Sequence, residues 1–189
     1  MVLGIPRGGV VVGAAVAEGL RAPLDVILVR KLRAPEQPEL ALGALGESGA
    51  QVLNRSLIEE MGITASELGR LVALERQELD RSVQQLRSVC PRIPVNGKTA
   101  IIVDDGIATG ATARAACQIG RTLMATRLVL ATPVAAPQAL ADLRRLTDEV
   151  VCLLAPSQFQ AVGQHYRDFT PTRDEVVVET VLRNRSMFT

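Results

Sequence analysis

The chain has 189 residues, 48% apolar and 22% charged, with a net charge of +1. That length fits one domain with a sizeable core and room for an insertion, and the apolar share excludes a disordered chain. A near-neutral balance offers no general attraction for nucleic acid or an anionic membrane, so any anion must be held by local placement.

In chain order, "VLGI" (2–5) reads as a strand, followed by a helix from about Val10 to Leu20. The same stretch imitates a signal peptide, with Arg7, an apolar run and an Ala15-Val16-Ala17 pattern. Pro6, Gly8 and Gly9 interrupt it, however, and Glu18 ends it far short of the ~20 residues of a membrane span. Cys90, Cys117 and Cys152 are widely spaced, without a CxxC pair or a partner for the single His165. That pattern argues against a zinc site or disulfide framework, and a reducing cytoplasm is the expected location.

"DVILVR" (25–30) reads as one buried strand. Residues 31–50, with two prolines and three glycines, read as a functional lid, in which "ALGAL" and "AQVL" pair as a small hairpin. Thr64 with Glu67 has capping-box spacing and opens a long helix. Leu68, Leu71, Val72, Leu79, Val83 and Leu86 recur at helical spacing to about Val89, a stripe for packing against the domain or a partner subunit. "TAIIV" (99–103), "RLVLAT" (127–132) and "EVVCLL" (149–154) are further apolar strands, separated by helices near 111–124 and 136–146. Thr172 with Glu175 repeats the capping spacing ahead of a C-terminal helix. Alternating strands and helices, with nearly continuous apolar strands, give the expected fold class: α/β, a doubly wound and mainly parallel sheet. The whole chain is expected to be one domain, with a mobile-loop and helical insertion at about 31–97.

The chemistry concentrates in "IIVDDGIATGAT" (101–112). In such sheets ligands bind beyond the carboxyl ends of the strands, where strand order reverses. Asp104 and Asp105 would emerge there from a central strand. Gly106, Ala108, Gly110 and Ala111 would allow close backbone approach, and Thr109 and Thr112 add hydroxyls. The free N–H groups of the next helix face the same space, so an anion seat lies beside two accepting carboxylates. A phosphorylated sugar with a vicinal diol would use both. A Walker loop is excluded because no lysine lies within reach, Lys31 and Lys98 being the only two in the chain. The dinucleotide fingerprint GxGxxG is absent, and a response-regulator receiver would need a lysine after the acids.

These residues resemble the phosphoribosyl pyrophosphate (PRPP) signature of type I phosphoribosyltransferases. "GIPRGGV" (4–10) resembles that family's pyrophosphate loop, and "VRKLRAP" (29–35) the Arg-Lys turn that opens its mobile catalytic loop. With the tail "FQAVGQHYRDFTPTRDE", the chain looks most like a bacterial group of phosphoribosyltransferases of unsettled substrate. The resemblance implies transfer of the 5-phosphoribosyl group from PRPP to a base-like or other nitrogen nucleophile, with Mg²⁺ as cofactor and release of pyrophosphate. Asp104 and Asp105 would hold the ribose hydroxyls and the metal. The turn from Gly106 through Ala108, Thr109, Gly110, Ala111 and Thr112 would cradle the 5′-phosphate. Arg7, Gly8 and Gly9 would bind pyrophosphate in a loop that in this family often has a non-proline cis peptide. Arg30 and Lys31, with Arg33, would oppose the charge of the leaving group from a flexible loop whose closure excludes water.

Phe159, Tyr166 and Phe169, three of only four aromatic residues, cluster near His165 as a candidate surface for a planar acceptor, or else as a pin for a long loop. Alanine at 108, where the 6-oxopurine enzymes have aspartate, argues against hypoxanthine, guanine and xanthine. Chains of this group also have a helix ahead of the first strand that this sequence lacks, and reduced stability or activity is the expectation. A homodimer is expected from the long helix, and no nucleic acid or membrane partner. The alternative reading is a non-catalytic PRPP or nucleotide sensor of the same fold.

Overall fold

A computed structural model describes residues 1–35, 37 and 40–188. Its main sheet is parallel, with strands β1 (Val2–Gly4), β2 (Leu24–Val26), β6 (Thr99–Val103), β7 (Arg127–Val134) and β8 (Glu149–Leu154) in the order β2-β1-β6-β7-β8. Helices α1 (Gly8–Leu20), α4 (Ala111–Thr122) and α5 (Pro137–Leu143) supply the crossovers, and α6 (Asp174–Arg185) closes the chain. Successive side chains of a strand point to opposite faces, and two cores follow from that alternation. Leu3, Ile102, Leu128 and Leu130 pack with α4 and α5 residues such as Ala116, Ile119 and Leu140. Val2, Leu24, Val26 and Val103 pack on the other face with Val10 and Ala17 of α1 and Val177 and Val181 of α6. The sheet is thus doubly wound, and strand order reverses between β1 and β6.

"DVILVR" is not one strand. The chain leaves the parallel sheet after Val26, and Val29–Arg33 becomes β3 of a separate antiparallel sheet with β4 (Ala41–Gly46) and β5 (Gln51–Leu53). A short apolar run has no feature that distinguishes one sheet from two. The expected hairpin of "ALGAL" with "AQVL" is present as β4 and β5, and β3 joins it. Much of the presumed lid is therefore ordered strand, and Arg30, Lys31 and Arg33 sit on a strand, not on a flexible loop. Within that lid, Glu36, Pro38 and Glu39 lie outside the described residues. The small sheet lies on α4: a Cβ on Gly46 would come within 2.4 Å of Ile119 Cγ2.

After the short α2 (Arg55–Glu60), α3 (Ala65–Arg87) opens with the capping box, Thr64 Oγ1 accepting from Glu67 N–H while Glu67 accepts from Thr64 N–H. Its stripe packs within the chain. Leu68, Leu71 and Val72 rest on Leu32, Leu42 and Ile58, and Leu86 reaches the main core. The stripe thus packs against the domain, one of the two roles expected of it. Arg87 fastens the end of α3 by bonding Asp25 Oδ1 (2.7 Å) and Glu47 Oε1 (2.7 Å), both buried. α6 begins at Asp174 with Arg173 as N-cap and no side-chain cap, so Thr172 does not play the expected role. Instead α6 is placed by Asn184 Oδ1, which accepts the Leu24 N–H of the edge strand at 2.7 Å. Among the described residues no helix is long and apolar enough to cross a membrane.

Candidate functional site

The site lies at the strand-order reversal, beyond the ends of β1 and β6. Two glycines after β1 let α1 begin against the end of β6. A Cβ on Gly9 would stand 2.5 Å from Val103 O, and one on Gly8 would stand 2.0 Å from Asp105 Oδ2. A side chain at Gly9 would force the segments apart and one at Gly8 would displace the Asp105 carboxylate, so the pair is needed for packing as well as for any exposed N–H groups. The peptide between Pro6 and Arg7 is cis, as in the loop it resembles. Arg7 is exposed, its guanidinium 4.0 Å from Asp174.

Asp104 follows the last residue of β6 and is only 9% exposed, with Oδ1 accepting the Asp105 N–H at 3.1 Å. Burial, together with the Asp105 charge beside it, pushes the Asp104 carboxyl up to about 8. A buried acid beside a half-buried one calls for a cation or for hydroxyl donors.

The turn that follows enters α4 through Gly110, whose φ of +76° is the left-handed conformation that glycine tolerates. No side chain caps α4, although the Ala111 N–H lies 3.4 Å from Thr109 Oγ1. The first-turn N–H groups therefore point outward beside exposed Ala108, Thr109 and Thr112, the arrangement that binds anions. Gly106 also admits the C-terminal tail: a Cβ there would lie 2.2 Å from Val162 Cγ1.

A cleft of ≈ 660 Å³ joins these parts, bordered by Arg7, Gly8, Asp104, Asp105, Gly106 and Thr112 on the sheet side. Its other wall is the tail, including Tyr166, Asp168, Phe169 and Thr172. Tyr166 and Phe169 lie with ring centroids 5.1 Å apart, and the Tyr166 hydroxyl donates to the Asp105 carbonyl at 2.5 Å. Phe159 is separate from them, stacked on His165 at 6.0 Å and outside the cleft wall. The three aromatics thus divide, two on the cleft and one pinning the tail. A second cavity of ≈ 280 Å³ holds Arg30, Lys31, Arg33, Glu75 and Thr112, so it meets the first at the N-terminus of α4.

No local pattern in the sequence marks Glu75, which meets Arg30 across 45 positions. Nor does anything local signal the Tyr166 bond to the Asp105 carbonyl, made across 61 positions.

A family model of the phosphoribosyl transferase domain matches residues 1–168. Two curated proteins from strains of Mycobacterium tuberculosis, provisionally named phosphoribosyl transferases, are each 49% identical over 178 residues. Those residues are 94% of this chain but 40% of each relative, so the chain spans about two fifths of their length. Among solved structures, TT1426 from Thermus thermophilus superposes with a TM-score of 0.90 at 43% identity, covering 96% of this chain and 86% of that one. With the family match spanning the acid pair, the glycine turn and the α4 entry alike, this chain belongs to the phosphoribosyl transferase family.

Proposed function

We propose that the chain transfers the 5-phosphoribosyl group of PRPP to a small nitrogen nucleophile and releases pyrophosphate. One observation carries the reading: three distant segments meet at a single cleft, namely the Gly8-Gly9 turn, the acid pair and the uncapped start of α4. On this reading Asp104 and Asp105 accept the ribose hydroxyls. The α4 N–H groups, with Thr109 and Thr112, hold the 5′-phosphate. Arg7 and the turn N–H groups hold pyrophosphate, while Arg30, Lys31 and Arg33 add positive charge.

The acid pair suits Mg²⁺. Among the described residues no third Asp, Glu, His or Cys joins it, and Mg²⁺ characteristically takes one or two carboxylates and completes its shell with water and substrate phosphate. When bound, the ion would supply charge opposite the departing pyrophosphate.

The acceptor would enter on the side of Tyr166 and Phe169, whose rings offer a planar base a surface. Ala108 continues to argue against a 6-oxopurine. The reaction is assigned to cytoplasmic nucleotide metabolism.

Calorimetry with PRPP and Mg²⁺ tests the reading, together with a pyrophosphate-release screen over bases and small amines. Wild type should bind PRPP and release pyrophosphate with at least one acceptor, and the double variant Asp104→Asn, Asp105→Asn should lose both. A wild type that binds no PRPP overturns the reading. PRPP binding without release for any acceptor supports a sensor instead.

A further inference from the structure

Arg30 leaves β3 on the face that it shares with Leu32, toward α3, where its Nε lies 3.1 Å from Glu75 Oε2. Lys31 and Arg33 leave on the opposite face. β3 is an edge strand, so long side chains from both faces can border the cavity at its rim, and all three cations do. Among the described residues the cavity holds one carboxylate against these three positive charges, which makes it a place for an anion.

Glu75 stands on a fixed support. The adjacent Arg76 donates from Nη1 to Gly46 O at 2.6 Å and from Nη2 to Ala50 O at 3.1 Å, clamping α3 to the turn between β4 and β5. Farther along, Arg87 clamps the same helix to Asp25 and Glu47. The bond to Arg30 uses Nε, the inner nitrogen of the guanidinium, and so leaves the outer nitrogens for the two-pronged grip that arginine makes on phosphate. An unrestrained arginine would have to be ordered as the ligand binds, at a cost in affinity.

We propose that Glu75 is a positioning residue for the transfer: it holds Arg30 in place beforehand, so that the pyrophosphate half of PRPP meets an ordered guanidinium instead of one delivered by a closing loop. This rests on the PRPP reading above. Glu75 acts through Arg30 and touches no ligand itself.

The test is a double-mutant cycle on the PRPP dissociation constant, measured by calorimetry with Mg²⁺ for wild type, Glu75→Ala, Arg30→Ala and the double variant. Glu75→Ala should weaken PRPP about two- to fivefold, the range of a partly exposed ion pair. It should add no further loss in the Arg30→Ala background, and Glu75→Gln, which keeps an acceptor, should recover part of the affinity. Thermal melts confirm folding, and the Gln variant gives the same comparison if Ala loosens α3. Equal losses in both backgrounds, no loss, tighter binding in Glu75→Ala, or an Arg30→Ala variant that binds as wild type would each overturn the proposal and leave the transferase reading standing. Only a wild type that fails to bind PRPP removes both.

Discussion

Gly9→Ala tests the contact on which the site geometry depends. The added methyl carbon would start 2.5 Å from Val103 O and 3.0 Å from Asp104 Cα. Both neighbours are backbone at the end of a central strand, so neither can swing aside as a side chain would. Reaching an ordinary contact of 3.4 Å requires the start of α1 and the end of β6 to part by about 0.9 Å. Overpacking of this kind costs about 1–3 kcal/mol. At about 2–4 °C per kcal/mol for a chain of this size, the melting temperature should fall by roughly 2–12 °C. The same movement draws Gly8 away from Asp105, and misplacement of about 1 Å in a site costs on the order of 100-fold in rate. Gly19→Ala is the control. It lies in the same helix with nothing within 4 Å of its Cβ position, and relief of helical glycine should stabilise by about 0.5–1 kcal/mol. Thermal melts and PRPP calorimetry on both variants read the outcome. If Gly9→Ala melts at or above wild type and binds PRPP normally, the turn and the acid pair do not touch as described.

Two further expectations follow from buried charge. Arg87→Ala strips Asp25 and Glu47 of a shared partner while both carboxylates stay buried. Breaking such a cluster costs about 3–5 kcal/mol, readable as a lower urea midpoint, and a loss near zero would refute the clamp. For Asp104, the folded carboxyl is raised to about 8 from 3.8. Folding therefore favours its neutral form, and its contribution to stability is lost as pH rises through that interval. Asp104→Asn should match wild type below pH 4, as chemical denaturation in metal-free buffer would show. It should then exceed wild type by a margin that grows to pH 8 and levels off above it. A margin independent of pH would refute the burial and pairing assigned to that carboxyl.

Much of this was legible locally. The Thr64 and Glu67 capping box is a pattern four residues long and reads the same in isolation as in the fold. The strand leading into Asp104-Asp105 and the small residues leading into α4 carry their signal in "IIVDDGIATGAT" itself, because a tight αL entry at Gly110 and an uncapped helix start are requirements on neighbouring residues. Less visible was any feature whose cause lies at a distance. "DVILVR" contains two strands because Val29–Arg33 finds β4 as an antiparallel partner, and a run of apolar residues does not say with what it will pair. Thr172 has the spacing of a cap, yet α6 starts two residues later, positioned by Asn184 on Leu24.

By itself the sequence determined the parallel α/β class, the acid pair, the glycine turn and the family, since strand periodicity, helix entry and phosphate chemistry are set by residues adjacent along the chain. Only tertiary structure decided that Arg30 and Lys31 stand on a strand, and that Glu75 reaches Arg30 from α3. It alone also decided that Gly106 yields to Val162, and that Tyr166 and Phe169 face the cleft while Phe159 does not. Each of these contacts joins segments tens of residues apart, and such pairings are selected by the packing of the whole core, which no short window of sequence encodes.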